Sequence, residues 1–137
     1  MKKRPINTCT KGNALVEFAI LLPVFVTLVL GTIEAGWALF IQNTLVDAAR
    51  EGARVAVTQN ISTNSIVSDA EGILTDSNIS LAQVSVSISP LAVSLQPRGT
   101  AITVTVSVPY SAVSILPTPM FLGSTTLSAQ VTMVKEY

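Results

Sequence analysis

The stretch Lys11-Gly12-Asn13-Ala14-Leu15-Val16-Glu17-Phe18 sets the frame for the whole chain. It places a carboxylate five residues past a glycine, at the mouth of a long apolar run. From Ala14 to Ile41 the only ionisable side chains are Glu17 and Glu34. Ionisable groups near hydrocarbon are costly, and they mark functional positions by default. The bland alternative is that Glu17, a few residues from Lys11, snorkels to the headgroups.

Outward from this stretch, the run from Ala14 to Ile41 makes a helix of about 42 Å at ~1.5 Å per residue. A bilayer core needs only about 30 Å. A cleaved secretory signal has a shorter apolar region ending in a small-x-small site. The run therefore predicts a single-pass anchor in contact with membrane lipids. Lys2, Lys3, Arg4 and Lys11 make the first dozen residues purely basic, whereas Arg50 and Arg54 after the run are offset by Asp47 and Glu51. The positive-inside rule puts the N-terminus in the cytoplasm and the residues after about Ile41 outside. The chain as a whole is 49% hydrophobic and only 12% charged, where soluble domains carry about a quarter charged residues.

Within the run, Pro23 predicts a kink or a locally melted turn near residues 19–23, which membrane helices tolerate when neighbours satisfy the freed carbonyls. Gly31 and Ala35 have small-xxx-small spacing, which lets helices approach closely. Trp37 fits an aromatic anchor at the outer interface; Glu34 either faces a neighbouring helix or, on the preferred reading, sits near that interface with Trp37. Beyond Trp37, Ile41, Leu45, Ala48, Ala49, Gly52, Val55 and Ala56 continue at helical spacing, with Asp47, Arg50, Glu51 and Arg54 on a solvated face. This predicts one helix from Asn13 to about Val57, ended by the polar Gln59-Asn60 region.

Downstream the pattern changes. A short helix is expected over about Asn64 to Leu74, capped by Ser62, Thr63 or Asn64. Three runs then alternate with period two: Val84 to Ser89, Ile102 to Val108, and Leu127 to Met133. Such alternation with β-branched residues predicts half-buried strands, assembled as an antiparallel meander with its Ser/Thr face toward water. The segment Ile115 to Leu122 is apolar for a loop; the simplest reading tucks it under the sheet, and the other makes it a partner-binding patch. The predicted fold is α+β: a long N-terminal membrane helix extending into a small outer module.

Several function classes are poorly served by these residues. The chain has no histidine, and Cys9, its only cysteine, precedes the apolar run and is read as incidental. Gly72, Gly99 and Gly123 are isolated and form no phosphate loop. Asp69, Glu71 and Asp76 lack the spacing of an all-oxygen metal loop. No enzyme, metal or cofactor is expected, and with no basic patch downstream, no nucleic acid either. The Asn60-Ile61-Ser62 and Asn78-Ile79-Ser80 sequons are patterns short enough to recur by chance.

Residues 11–57 resemble the TadE-like pseudopilins of tight-adherence (Flp-type) pilus systems, relatives of type IV pilins. The resemblance is carried by the basic leader ending in Gly12, by Glu17-Phe18, by Leu21-Leu22-Pro23, and by Asp47-Ala48-Ala49-Arg50-Glu51-Gly52-Ala53-Arg54. It implies a prepilin peptidase cutting between Gly12 and Asn13, which makes Glu17 and Phe18 the fifth and sixth residues of the mature chain. It also implies that Glu17 meets the free amine of a neighbouring subunit. Partners would be other pilins and pseudopilins and the inner-membrane pilus assembly platform, in a bacterial inner membrane. Asn13 departs from the bulkier first residue of many pilins, and Phe18 stands where Flp-type sequences often have tyrosine.

The expected division is a leader over 1–12, a membrane and extended helix over 13–58, and an extracytoplasmic module over 59–137. The leading expectation is a minor pseudopilin serving pilus assembly and adhesion, whether inside the fibre, priming it, or capping it. The competing class is an uncleaved, membrane-anchored binding or sensor module.

Overall fold

A single helix, α1, runs unbroken over Lys11–Thr58. The computed structural model describes residues 11–58 and 62–136; the leader up to residue 10, Cys9, and the Gln59-Asn60 end with its sequon lie outside them. Helix α1 starts two residues earlier than the expected Asn13. Pro23 lies inside it, yet residues 19–23 remain helical and the melted turn does not occur. One turn on, the Thr27 hydroxyl donates to the Pro23 carbonyl at 2.8 Å, and Thr32 does the same to Leu28 at 2.8 Å. Both hydroxyls are thus satisfied within an otherwise apolar helix.

The chain divides into two compact units, Met1–Ile33 and Glu34–Tyr137. The described part of the first is helical, and its large side chains, from Leu15 and Phe18 to Leu28 and Ile33, are exposed. An apolar helix with no protein covering it fits a membrane anchor.

The second unit supplies the core. On α1, Ile41, Leu45, Ala48, Ala49, Ala53 and Ala56 are buried, at the spacing of one helix face. Helix α2, Thr63–Asp76, buries Ile66, Ala70 and Leu74. Its N-cap is Ser62, whose side chain accepts from the Ser65 amide. Its exit is closed by Asn78 in the left-handed region at φ 59°. Gly52 makes the close approach possible: a Cβ there would stand 3.3 Å from Ala70 Cβ and 3.4 Å from a Val104 methyl.

Strands β1 (Ser85–Ser89), β2 (Ala101–Pro109) and β3 (Thr126–Val134) form the expected antiparallel meander in the order β1-β2-β3. Register pairs Val86 with Val106 and Ile88 with Val104, then Val104 with Val131 and Val106 with Ala129. Ile102, Val104, Val106 and Val108 are fully buried along β2. On the opposite face, Thr103 and Thr132 share a hydroxyl hydrogen bond at 2.8 Å. A four-residue helix, α3 (Tyr110–Val113), leaves β2, and single 3-10 turns occur at Leu81–Gln83 and Val93–Leu95.

Candidate processing site and carboxylate clamp

Gly12, Asn13, Glu17 and Phe18 occupy the first turns of α1. Gly12 is exposed, and a Cβ built on it would meet nothing within 4 Å. Glu17 is exposed and Phe18 is 65% exposed. The Gly12–Asn13 bond therefore sits in open surroundings, but inside the first helical turn. Pro23 and Gly31 follow along the same helix, with Gly31 about 28 Å beyond Gly12 at ~1.5 Å per residue. Ala35 is exposed in the second unit. All of these positions belong to α1.

Glu34 is where the structure departs most from the sequence reading. Nothing in its residue type predicts burial against this chain, yet it is 1% exposed. Its carboxylate accepts the backbone amides of Met120 at 3.1 Å, Phe121 at 3.2 Å and Leu122 at 2.9 Å. Three consecutive amides aimed at one anion form a nest that replaces the water a carboxylate would otherwise need. The turn that presents them is tight: a Cβ on Gly123 would come within 3.2 Å of the Pro119 ring. The Ser114 hydroxyl braces the approach, donating to the Leu116 carbonyl at 2.9 Å and accepting the Leu116 amide at 3.2 Å.

Trp37 is also held within the protein. Its indole Nε1 donates to the Val113 carbonyl at 2.6 Å, and its ring packs against the core and on Phe40. Tyr110, buried, donates to the Glu34 carbonyl. Trp37, Ile41, Asn78, Ser80, Val113 and Ser114 are among the residues lining a cavity of about 200 Å³. The segment 115–122 does not tuck under the sheet. Its backbone is held by Glu34, while Ile115, Met120 and Phe121 remain 55%, 49% and 61% exposed.

A second buried charge appears at Lys135, which is 5% exposed. Its ammonium donates to the carbonyls of Val93 at 2.8 Å and Gln96 at 2.9 Å. It thereby closes the 3-10 turn between β1 and β2. The surface ions behave as expected of a solvated face: Arg50 bonds Asp47 at 3.2 Å, and Arg54 pairs with Glu51. The Arg54 guanidinium holds the Glu51 carboxyl below the usual carboxylate range. Among the described residues no group of three His, Cys, Asp or Glu could hold a metal ion.

Residues 12–54 match the family model described as TadE-like protein. The match begins at the candidate cleavage glycine and ends inside α1, so α2 and the sheet lie beyond it. Comparison with curated proteins and with solved structures returns no match.

Proposed function

Taking residues 12–54 as a TadE-like segment, which associates the chain with tight-adherence pilus systems, we propose that it is a minor pseudopilin matured by a prepilin peptidase and contributing to pilus assembly and surface adhesion. Its role is structural rather than catalytic. In this reading residues 1–12 are a cytoplasmic leader, 13–58 the membrane and extended helix, and 59–137 an extracytoplasmic module. The anchor lies in a bacterial inner membrane. The peptidase, neighbouring pilins and the assembly platform are the partners. The observation that carries the reading is the register: the family segment opens at Gly12, five residues before Glu17, at the head of an exposed apolar helix.

The chemistry follows from that register. A peptidase binds extended backbone, so the first turn of α1 has to open before Gly12–Asn13 can be cut. Glycine helps, because it weakens a helix by about 0.5–1 kcal/mol relative to alanine. Cleavage frees the Asn13 amine, a cation with an ordinary pKa near 8. Glu17 stands one helical turn further on, and in a bundle of such helices it meets the amine of a neighbour. A carboxylate at a membrane edge is tolerated when it finds a cation.

Mass spectrometry of the protein from cells with and without the peptidase tests this directly. Loss of residues 1–12 only where the peptidase is present is the expected result. An uncut chain in both strains rejects the pseudopilin reading in favour of the uncleaved sensor or binding module.

A further inference from the structure

We propose that Ile115–Leu122 is a membrane-surface loop: held on the Glu34 carboxylate, it presents Ile115, Met120 and Phe121 to the acyl chains of the leaflet on the module's side. This rests on reading α1 as a membrane anchor, and it does not depend on cleavage or on pilus assembly.

The first observation is exposure without looseness. Three large apolar side chains within seven residues are between 49% and 61% exposed. Yet the backbone that carries them is fixed by Glu34, by Ser114 and by the Thr125 amide bonded to the Leu122 carbonyl at 2.9 Å. A loop that merely failed to pack would not be held by so many bonds.

The second is depth. The exposed apolar run begins at Ala14 and ends at Ile33, about 20 residues and therefore about 30 Å of helix, which matches one hydrocarbon core. By chain connectivity alone Glu34 follows directly on that run, and the amides of Met120, Phe121 and Leu122 are bonded to its carboxylate. Leu39 and Phe40, less than two turns beyond Glu34, are likewise apolar and 65% and 44% exposed. By contrast, the outward face of β3 is Thr, Ser and Gln as far as Val134 at its end.

The third is the chemistry of the clamp. A carboxylate at this depth would ordinarily keep water around it. The amides of Met120, Phe121 and Leu122 take the place of that water. The side chains of Met120 and Phe121 can then enter lipid without leaving a bare backbone behind. Large apolar side chains at such a boundary bury into the acyl region, as those of interfacial segments do.

The experiment uses the full chain in a Cys9→Ser background, reconstituted into phosphatidylcholine–phosphatidylglycerol vesicles. A single cysteine introduced by Phe121→Cys, Leu28→Cys or Gln130→Cys carries an NBD fluorophore. The quenchers are iodide in water and lipid bearing a doxyl group near its headgroup end. The label at 121 should be quenched by the lipid and roughly threefold less by iodide than the label at 130. Adding Glu34→Ala should remove the lipid quenching at 121 and leave it at 28. A label at 121 as open to iodide as that at 130, with 28 still in lipid, overturns the loop proposal and leaves the anchor standing. Protection at 121 that vanishes as protein is diluted in lipid assigns the surface to a second copy of the chain and also overturns it. No lipid quenching at 28 rejects the anchor and the loop together. Unchanged quenching at 121 in Glu34→Ala rejects the clamp.

Discussion

The Tyr110 hydroxyl donates to the main-chain carbonyl of Glu34 at 3.2 Å, across 76 positions of sequence. Tyr110 is the first residue after β2 and is fully buried. One turn along α1 from Glu34, Trp37 reaches the Val113 carbonyl. Two long-range bonds therefore seat α3 against α1 where the second unit begins. Replacing Tyr110 with phenylalanine should cost about 1 kcal/mol, the net worth of one buried hydrogen bond, read as a lower denaturation midpoint in detergent.

The same tyrosine gives a pH signature. Burial pushes its phenol up from the ordinary range, and the Glu34 charge adds to the shift. The folded state then holds the phenolic proton to higher pH than the unfolded chain does. This contribution is fully present below the ordinary phenol value of about 10 and drains away as pH rises through the higher folded value. Between about pH 10 and that higher value, thermal melts should fall less steeply in Tyr110→Phe than in the parent. Equal slopes would remove the linkage.

Glu34→Ala leaves three amides facing a site with no acceptor. Hydrogen bonds to a charged group are strong, and the loss should be on the order of 3 kcal/mol. Hydrogen exchange at the amides of Met120, Phe121 and Leu122 reads it locally. These three should exchange far faster while the β2–β3 ladder stays protected.

At Gly52, the nearest atoms belong to the rigid Ala70 Cβ and the buried Val104 side chain. Gly52→Leu should destabilise by about 1–3 kcal/mol through overpacking, despite leucine's better helix propensity. A denaturation midpoint at or above the parent's would mean that α2 can shift to make room.

For the processing site, Gly12→Val should block maturation, since a branched side chain would stand at the bond to be cut. Glu17→Ala should leave cleavage largely intact and reduce pilus yield. Leader loss by mass spectrometry and pilus recovery by shearing separate the two effects.

Much of this architecture is legible in the residues themselves. The apolar run from Ala14, the spacing of Ile41, Leu45 and Ala48, and the strict alternation of Ile102 to Val108 each encode a face that side chains alone define. Glu34 and Lys135 are not legible, because the amides that donate to the one and the carbonyls that accept from the other belong to the backbone and carry no residue code. Composition misled at Ile115–Leu122 for the same reason: apolar side chains suggested burial, but it is the main chain of this segment that is held. The Pro119-to-Gly123 bracket around three consecutive amides was the one available hint of a nest.

Strand β3 is lashed to α1 at both of its ends. Ahead of it, Leu122 bonds the Glu34 carboxylate at 2.9 Å; behind it, the Glu136 amide bonds the Val57 carbonyl at 3.3 Å. The two fastenings are 23 helix positions apart, about 35 Å, and Gln42 adds a third tie between them, to the Ser128 carbonyl. Traction applied along α1 is therefore delivered to the sheet in shear, over several bonds at once, instead of peeling one strand edge. A tether built this way resists being stripped from its helix when pulled.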